Sequence, residues 1–262
     1  MPITLEVLSE QAQAAYAALD QELKIVADMQ RSLLPRTLPS VPTIDLAVHY
    51  QSSHRAGGDY YDFFSLPGGK LGILLADASG HGAPATMMMA ITHSIAHVYS
   101  GQSSGPSDLL NFLNRHLARR VSAENDSFVT AFYGIYDPAR QSLQFANAGH
   151  PPPRLKRGGS GSLASLDTAG GLPLGVLGKE HYVDDTVELG QGDTIVFYTD
   201  GVTEATGVAR PFFGVEGIDR VARESSGSAA ELLAMLLRRL DRFTNSRPAE
   251  DDRTLLVARI VS

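Results

Sequence analysis

Apolar and polar positions along this chain fall into blocks that switch between a helical and a strand period. Residues 4–34 read as a helix. Leu5, Leu8, Ala12, Ala15, Leu19, Val26, Met29 and Leu33 occupy the a and d positions of one heptad frame, interrupted at Glu22. Such a stripe, weakened by its alanines, suits either parallel coiled-coil pairing or an amphipathic helix lying on its own domain. Pro35, Pro39 and Pro42 end the helix and make a stiff connector. A first strand follows over 44–53. A second, Tyr60 to Leu66, should pair with 70–76 as a hairpin around Pro67-Gly68-Gly69. That pairing brings Asp59 and Asp77 to the same end of the ladder. The run Leu71 to Ala76 carries no polar side chain and reads as a strand buried on both faces.

The pattern then predicts helices over Ala83–Tyr99 and 108–121, and a hairpin of 128–136 with 141–147 around Asp137-Pro138-Ala139-Arg140. Met87, Met88 and Met89 read as adaptable core packing. Residues 154–180 are rich in glycine and proline and suggest a flap near the site. Arg154, Lys156, Arg157 and Lys179 would be solvated charges on it. A third hairpin is expected from 182–189 and 193–199 around Gly190-Gln191-Gly192. After a further Gly/Pro-rich passage come a helix over 228–243 and a closing strand over 254–261.

Composition narrows the function. The 262 residues are 43% hydrophobic and 19% charged, enough for one large domain with a closed core. A net charge of −7 argues against nucleic acid or an anionic membrane as the main partner. No cysteine is present, which excludes disulfides, thiolate zinc sites and a thiol nucleophile. The sequence shows neither a basic leader before an apolar segment nor an 18-residue apolar run, so the cytoplasm is the expected compartment.

Asp77 ends one strand-like run, and Asp59 and Asp62 upstream, with Asp200 and the pair Asp251-Asp252 downstream, lie at the edges of others and are expected to gather with it. Any one of them alone reads as a turn residue or a cap. Together they form a set without matching Lys or Arg, and clustered carboxylates at a core edge repel one another unless cations meet them. All-oxygen ligation suits hard ions, Mg²⁺ or Mn²⁺. Two such ions can activate water and orient a phosphoryl group.

Five segments carry a resemblance: Gly57-Gly58-Asp59-Tyr60-Tyr61-Asp62-Phe63-Phe64, Asp77-Ala78-Ser79-Gly80-His81-Gly82, Asn147-Ala148-Gly149-His150, Thr199-Asp200-Gly201-Val202-Thr203-Glu204 and Asp251-Asp252-Arg253-Thr254. In this order and spacing they resemble the SpoIIE/RsbU branch of the metal-dependent serine/threonine phosphatases, relatives of protein phosphatase 2C. The resemblance implies an α+β fold: two antiparallel β-sheets packed as a sandwich flanked by helices (αββα), with an N-terminal helical extension. The expected division is 1–42 for the helix and connector and 43–262 for the phosphatase domain. It further implies two Mn²⁺ or Mg²⁺ ions bridged by Asp77, with the Ala78 carbonyl, Asp59, Asp200 and Asp251 completing the ligand set. Asp77, Asp59 and Asp200 would be the catalytic core. Asp252 stands beside Asp251 as the alternative ligand. Arg55 is the candidate for the phosphate-binding arginine that eukaryotic relatives carry upstream of the first aspartate. His81 and His150 are expected to build turns.

The implied activity is hydrolysis of phosphoserine or phosphothreonine on a regulatory protein of the anti-sigma factor antagonist type. Two other readings stand beside it: a non-catalytic dimeric signalling scaffold, and a hydrolase of small phosphate esters. A weak homodimer through the N-terminal helix is also expected.

Overall fold

The computed structural model describes residues 5–100, 105–119, 127–207 and 211–261, and on the first helix it describes side chains 13, 16, 17 and 20 onward. Two five-stranded antiparallel sheets lie face to face. In the first, β1 (Ile44–Gln51), β10 (Arg253–Ile260), β9 (Thr194–Tyr198), β6 (Arg154–Lys156) and β7 (Leu163–Ser165) are neighbours in that order. The second runs β2 (Asp59–Leu66), β3 (Lys70–Ala78), β4 (Val129–Asp137), β5 (Ser142–Ala148) and β8 (Asp185–Glu188).

Strand alternation sorts the side chains into layers. On β9 and β10, Ile195, Phe197, Leu256, Ala258 and Ile260 face the core between the sheets. Val196, Tyr198, Leu255 and Val257 face a second core, under helices α5 (Gly214–Glu224) and α6 (Ala229–Thr244). Helices α2 (Ala83–Val98) and α3 (Pro106–Ala118) cover the other sheet, so the layers are helix, sheet, sheet, helix, as expected. Leu71 to Ala76 are buried throughout, because β3 lies between the opposite sheet and α2. α6 begins with a reciprocal cap between Ser228 and Glu231 and ends on Asn245 in the left-handed region.

Helix α1 (Leu5–Leu33) packs beside α2. Leu5, Leu8, Ala12, Ala15 and Leu19 of the heptad frame lie outside the described side chains. In the described part, Ala27, Gln30 and Leu34 are buried, whereas Met29 of the heptad frame is 64% exposed. The face turned to the domain therefore follows the 3–4 spacing of 27, 30 and 34, and its central residue is polar.

Three expectations need correction. Residues 185–188 and 194–198 do not form a hairpin: β8 pairs with β5 in one sheet and β9 with β10 and β6 in the other. The turn at Gly190–Gly192 is a crossover held by Asp193. The Asp193 carboxylate accepts from Gly190 N–H, Gly158 N–H and Arg157, and Gly192 N–H donates to the Ile260 carbonyl. Residues 154–180 are not a flap, since Leu155, Leu166, Ala169 and Leu174 are buried in the core between the sheets. Three of their four basic residues are engaged: Arg154 forms a two-pronged pair with Asp219 at 2.8 Å, Lys156 donates to the Ser225 carbonyl and Arg157 to Asp193, while Lys179 is exposed as expected. Helix α5, which supplies Asp219, lies within the Gly/Pro-rich passage before 228, where its glycines mask the helical pattern.

Candidate metal centre

The hairpin β2–β3 aligns Asp59 directly opposite Asp77. The rest of the cluster comes from the other sheet. Asp200 follows β9 by two residues and opens the short helix α4 (Asp200–Thr203), and Asp251 stands two residues before β10. Asp59 is buried, and its Oδ2 accepts from the hydroxyls of Thr199 at 2.8 Å and Thr254 at 2.5 Å. The Thr199 hydroxyl in turn accepts Thr254 N–H at 3.0 Å. These two threonines tie the carboxylate of one sheet to adjacent strand ends of the other, so the acids collect where the two sheets meet.

Close backbone approach keeps them together. A Cβ on Gly58 would lie 2.4 Å from the Ala78 carbonyl oxygen and 3.1 Å from Asp77 Oδ1. A Cβ on Gly201 would lie 2.0 Å from the Asp252 carbonyl oxygen. Glycine at each position is required by space.

The electrostatics show what the cluster lacks. Burial, and then the charges of Asp59, Asp200, Asp251 and Asp252, push the Asp77 carboxyl up to about 10. Asp59 is raised by burial and by Asp252 and Asp200, against the pull of its two threonine hydroxyls. Asp200 is raised by burial, then by Asp251 and Glu204. Among the described residues no lysine or arginine pairs with Asp59, Asp77, Asp200 or Asp251. Carboxylates so placed favour the neutral form until a cation is supplied.

The family model Stage II sporulation protein E (SpoIIE) matches residues 67–261. The chain belongs to the SpoIIE family. Among curated SpoIIE-like relatives, the phosphoserine phosphatase RsbU of Bacillus subtilis (strain 168) is 30% identical over 186 residues, covering 71% of this chain and 54% of RsbU. Protein IcfG of Synechocystis sp. is 24% identical over 261 residues, 90% of this chain and 41% of that protein. The chain thus spans about half the length of these curated relatives. The SiaA-PP2C domain of Pseudomonas aeruginosa has the same fold, with a TM-score of 0.82 and 22% identity over 94% of this chain and 99% of that one.

Other residues of this SpoIIE-family chain take distinct places around the carboxylate cluster. Asp252 is buried and fully bonded: it accepts from Ser53 N–H at 2.8 Å, the Ser53 hydroxyl at 3.1 Å and Gly58 N–H at 2.6 Å. It shapes the loop that leads into Asp59. Asp251 is exposed and accepts the Asp252 N–H at 2.8 Å. Arg55 pairs with Asp20 of α1 through two bonds of 2.6 Å. His81 stacks on His54 with ring centres 5.1 Å apart. His150 builds the expected turn by exchanging two bonds with Asn147, at 2.7 and 2.9 Å. Burial holds its ring neutral, with its pKa down at about 3.

Sequence reasoning missed Gln30. Buried on α1, its side chain donates to the Gly57 carbonyl at 2.7 Å and accepts Gly57 N–H at 3.0 Å, two residues from Asp59. Nothing in the local sequence marks it. Thr199 and Thr254 were quoted within the motifs, but their hold on Asp59 becomes visible only when the two sheets meet.

Proposed function

We propose that the chain is a metal-dependent protein phosphatase that hydrolyses phosphoserine or phosphothreonine on a regulatory protein of the anti-sigma factor antagonist type. The observation that carries this reading is the carboxylate cluster at the meeting edge of the sheets, where Asp59, Asp77 and Asp200 are raised in pKa and, among the described residues, no lysine or arginine pairs with them. A non-catalytic scaffold would gain nothing from mutually repelling buried acids. RsbU, which shares 30% identity over most of this chain, is a phosphoserine phosphatase.

The donor set fits two hard divalent ions, Mn²⁺ or Mg²⁺. We assign Asp59, Asp77, Asp200, Asp251 and the Ala78 carbonyl as ligands, with Asp77 between the two ions. Asp251 is preferred to Asp252 because Asp252 already accepts three hydrogen bonds within the 53–58 loop. When bound, such ions neutralise the cluster and activate water for attack on phosphorus. The chain's own part is to hold the acids in place. Thr199 and Thr254 fix the Asp59 carboxylate, Asp252 fixes the loop before it, and Gly58 and Gly201 let the two halves approach. The phosphate ester and water give the free hydroxyl protein and inorganic phosphate. Arg55, engaged with Asp20, is assigned to linking α1 to this loop in place of binding phosphate.

No helix among the described residues is long and apolar enough to cross a membrane. We place the activity in the cytoplasm, where such regulatory phosphoproteins act.

Substrate class is tested by comparing a phosphoserine-bearing antagonist protein with a small aryl phosphate at saturating Mn²⁺. Binding by remote parts of the protein substrate should raise kcat/KM by about 10²-fold or more over the small ester. Equal values for the two would favour a hydrolase of small esters.

Gln30 and Arg55 together tie α1 to the loop bearing Asp59, and we infer that α1 helps to set metal affinity. Gln30→Ala leaves the Gly57 N–H and carbonyl buried without partners, at a cost of about 1–3 kcal/mol. It should raise the Mn²⁺ concentration needed for half-maximal activity. A chain beginning at Thr37 should show a larger shift of the same sign and should lose the weak self-association proposed for α1, read by sedimentation. If both quantities are unchanged by both alterations, α1 is a passive appendage.

A further inference from the structure

Asp62, the second acid of the β2 segment, has no part in the cluster just described. Strand alternation turns it away from Asp59, onto the face covered by α2. There it meets two histidines one helical turn apart, His93 and His97, which share a face of α2 by their i, i+4 spacing. His97 Nε2 lies 2.7 Å from Asp62 Oδ2, and the rings of His93 and His97 are 4.3 Å apart between centres. One ligand atom from each of the three residues falls within 4.8 Å of the others. This trio has the ligand count and donor chemistry of a borderline-soft transition ion, two imidazoles and a carboxylate, unlike the all-oxygen cluster at the sheet edge.

The surroundings support such a site. Asp62 is buried, and its two oxygens are oriented from behind. The Tyr60 hydroxyl donates to Oδ2 at 2.5 Å, and Phe63 N–H donates to Oδ1 at 2.7 Å. Tyr60 also packs edge-on against the His93 ring at 5.6 Å, fixing that ring in turn. Outer partners of this kind are what position first ligands in protein metal sites. Access is provided from the other side: His97 is 47% exposed and lines a cavity of about 230 Å³ with Phe63, Phe64, Tyr99 and Tyr133. A water or small ligand has room there beside His97.

We propose that Asp62, His93 and His97 form a second metal site, separate from the carboxylate cluster, that binds one Zn²⁺-class ion with an open fourth position. The ion takes the place of the proton shared by His97 and Asp62. Their donor atoms then open from 2.7 Å to about 3.3 Å, the separation set by tetrahedral bonds of about 2.0 Å. Bound there, it pins α2 to β2. Because α2 begins directly after the Asp77–Gly82 segment and β2 begins at Asp59, the site braces the two elements that carry the opposed aspartates.

The full chain, stripped with a chelator, is supplied with excess Mg²⁺ to fill the oxygen cluster and then titrated with Co²⁺ and, separately, with Zn²⁺. The proposal predicts one Co²⁺ per chain with the intense visible absorption of a four-coordinate nitrogen and oxygen site, and one Zn²⁺ per chain that raises Tm. His93→Gln and His97→Gln should each abolish the absorption and the Zn²⁺-dependent rise in Tm, while keeping the far-ultraviolet dichroism of the parent chain. Asp77→Asn, which alters the other cluster, should retain both signals. His97 is half-exposed, so His97→Gln decides the matter even if His93→Gln folds poorly. Absence of the absorption, or its persistence in His97→Gln, would show that the trio is a hydrogen-bonded staple between helix and strand and binds no metal.

Discussion

Asp77→Asn should lower phosphatase turnover by at least about 10³-fold at saturating Mn²⁺, because it removes the carboxylate proposed to hold both ions. The fold should survive. In the metal-free chain the substitution replaces a carboxyl that ionises only at a cost beside its acidic neighbours, so Tm should match the parent at low pH and exceed it increasingly as pH rises. A pH signature follows from the same cause. The Asp77 carboxyl stands at about 10 in the folded chain, against about 3.9 when unfolded. For a carboxyl raised on folding, the stability it contributes is complete below the unfolded value and is lost as pH rises through the folded one. Metal-free wild type should therefore lose stability across roughly pH 4 to 10 more steeply than Asp77→Asn does. Saturating Mn²⁺ should remove most of that difference. Near-normal kcat in Asp77→Asn would show that another residue holds the central place.

Gly201→Ala should damage both stability and metal binding, because the added methyl has no room at the functional edge. The new Cβ would stand 2.0 Å from the Asp252 carbonyl oxygen and 3.2 Å from the Asp251 carbonyl carbon, both backbone atoms. Relief requires the strand end carrying Asp200 to move away from the segment carrying Asp251, which are two of the proposed ligands. Overpacking of this kind costs about 1–3 kcal/mol, and the Tm should fall accordingly. Mn²⁺ affinity should fall with it, and part of the lost turnover should return at high Mn²⁺. Gly190→Ala is the control, since a Cβ there meets nothing within 4 Å. Equal stability and Mn²⁺ affinity for Gly201→Ala and wild type would contradict the close approach on which the site is built.

The opposition of Asp59 and Asp77 was legible because a short Pro-Gly-Gly turn fixes the register of a hairpin, and register fixes which residues face each other. The two-layer arrangement was implied by the family resemblance that five motifs in order carry. What escaped sequence reasoning was settled by long-range contacts. The turn at Gly190–Gly192 carries the residues of a hairpin turn. Asp193 and Ile260 nonetheless send the following strand into the other sheet. Arg154 read as a solvated charge because its partner, Asp219, lies on a helix whose own glycines hid it. In α1 a heptad and a 3.6-residue stripe look alike over so few turns. Only packing shows that Gln30, polar and outside the heptad frame, is the residue that reaches the loop before Asp59.

The central claim is that the acids at the sheet edge work through bound divalent ions on a phosphoserine protein. The direct measurement is release of phosphate from such a protein by chain stripped with a chelator, before and after Mn²⁺ or Mg²⁺ is added back. The account predicts no turnover in the stripped chain, full recovery with added ion, and indifference to thiol-alkylating reagents, since the chain has no cysteine. Stripped chain that keeps its full activity would contradict it.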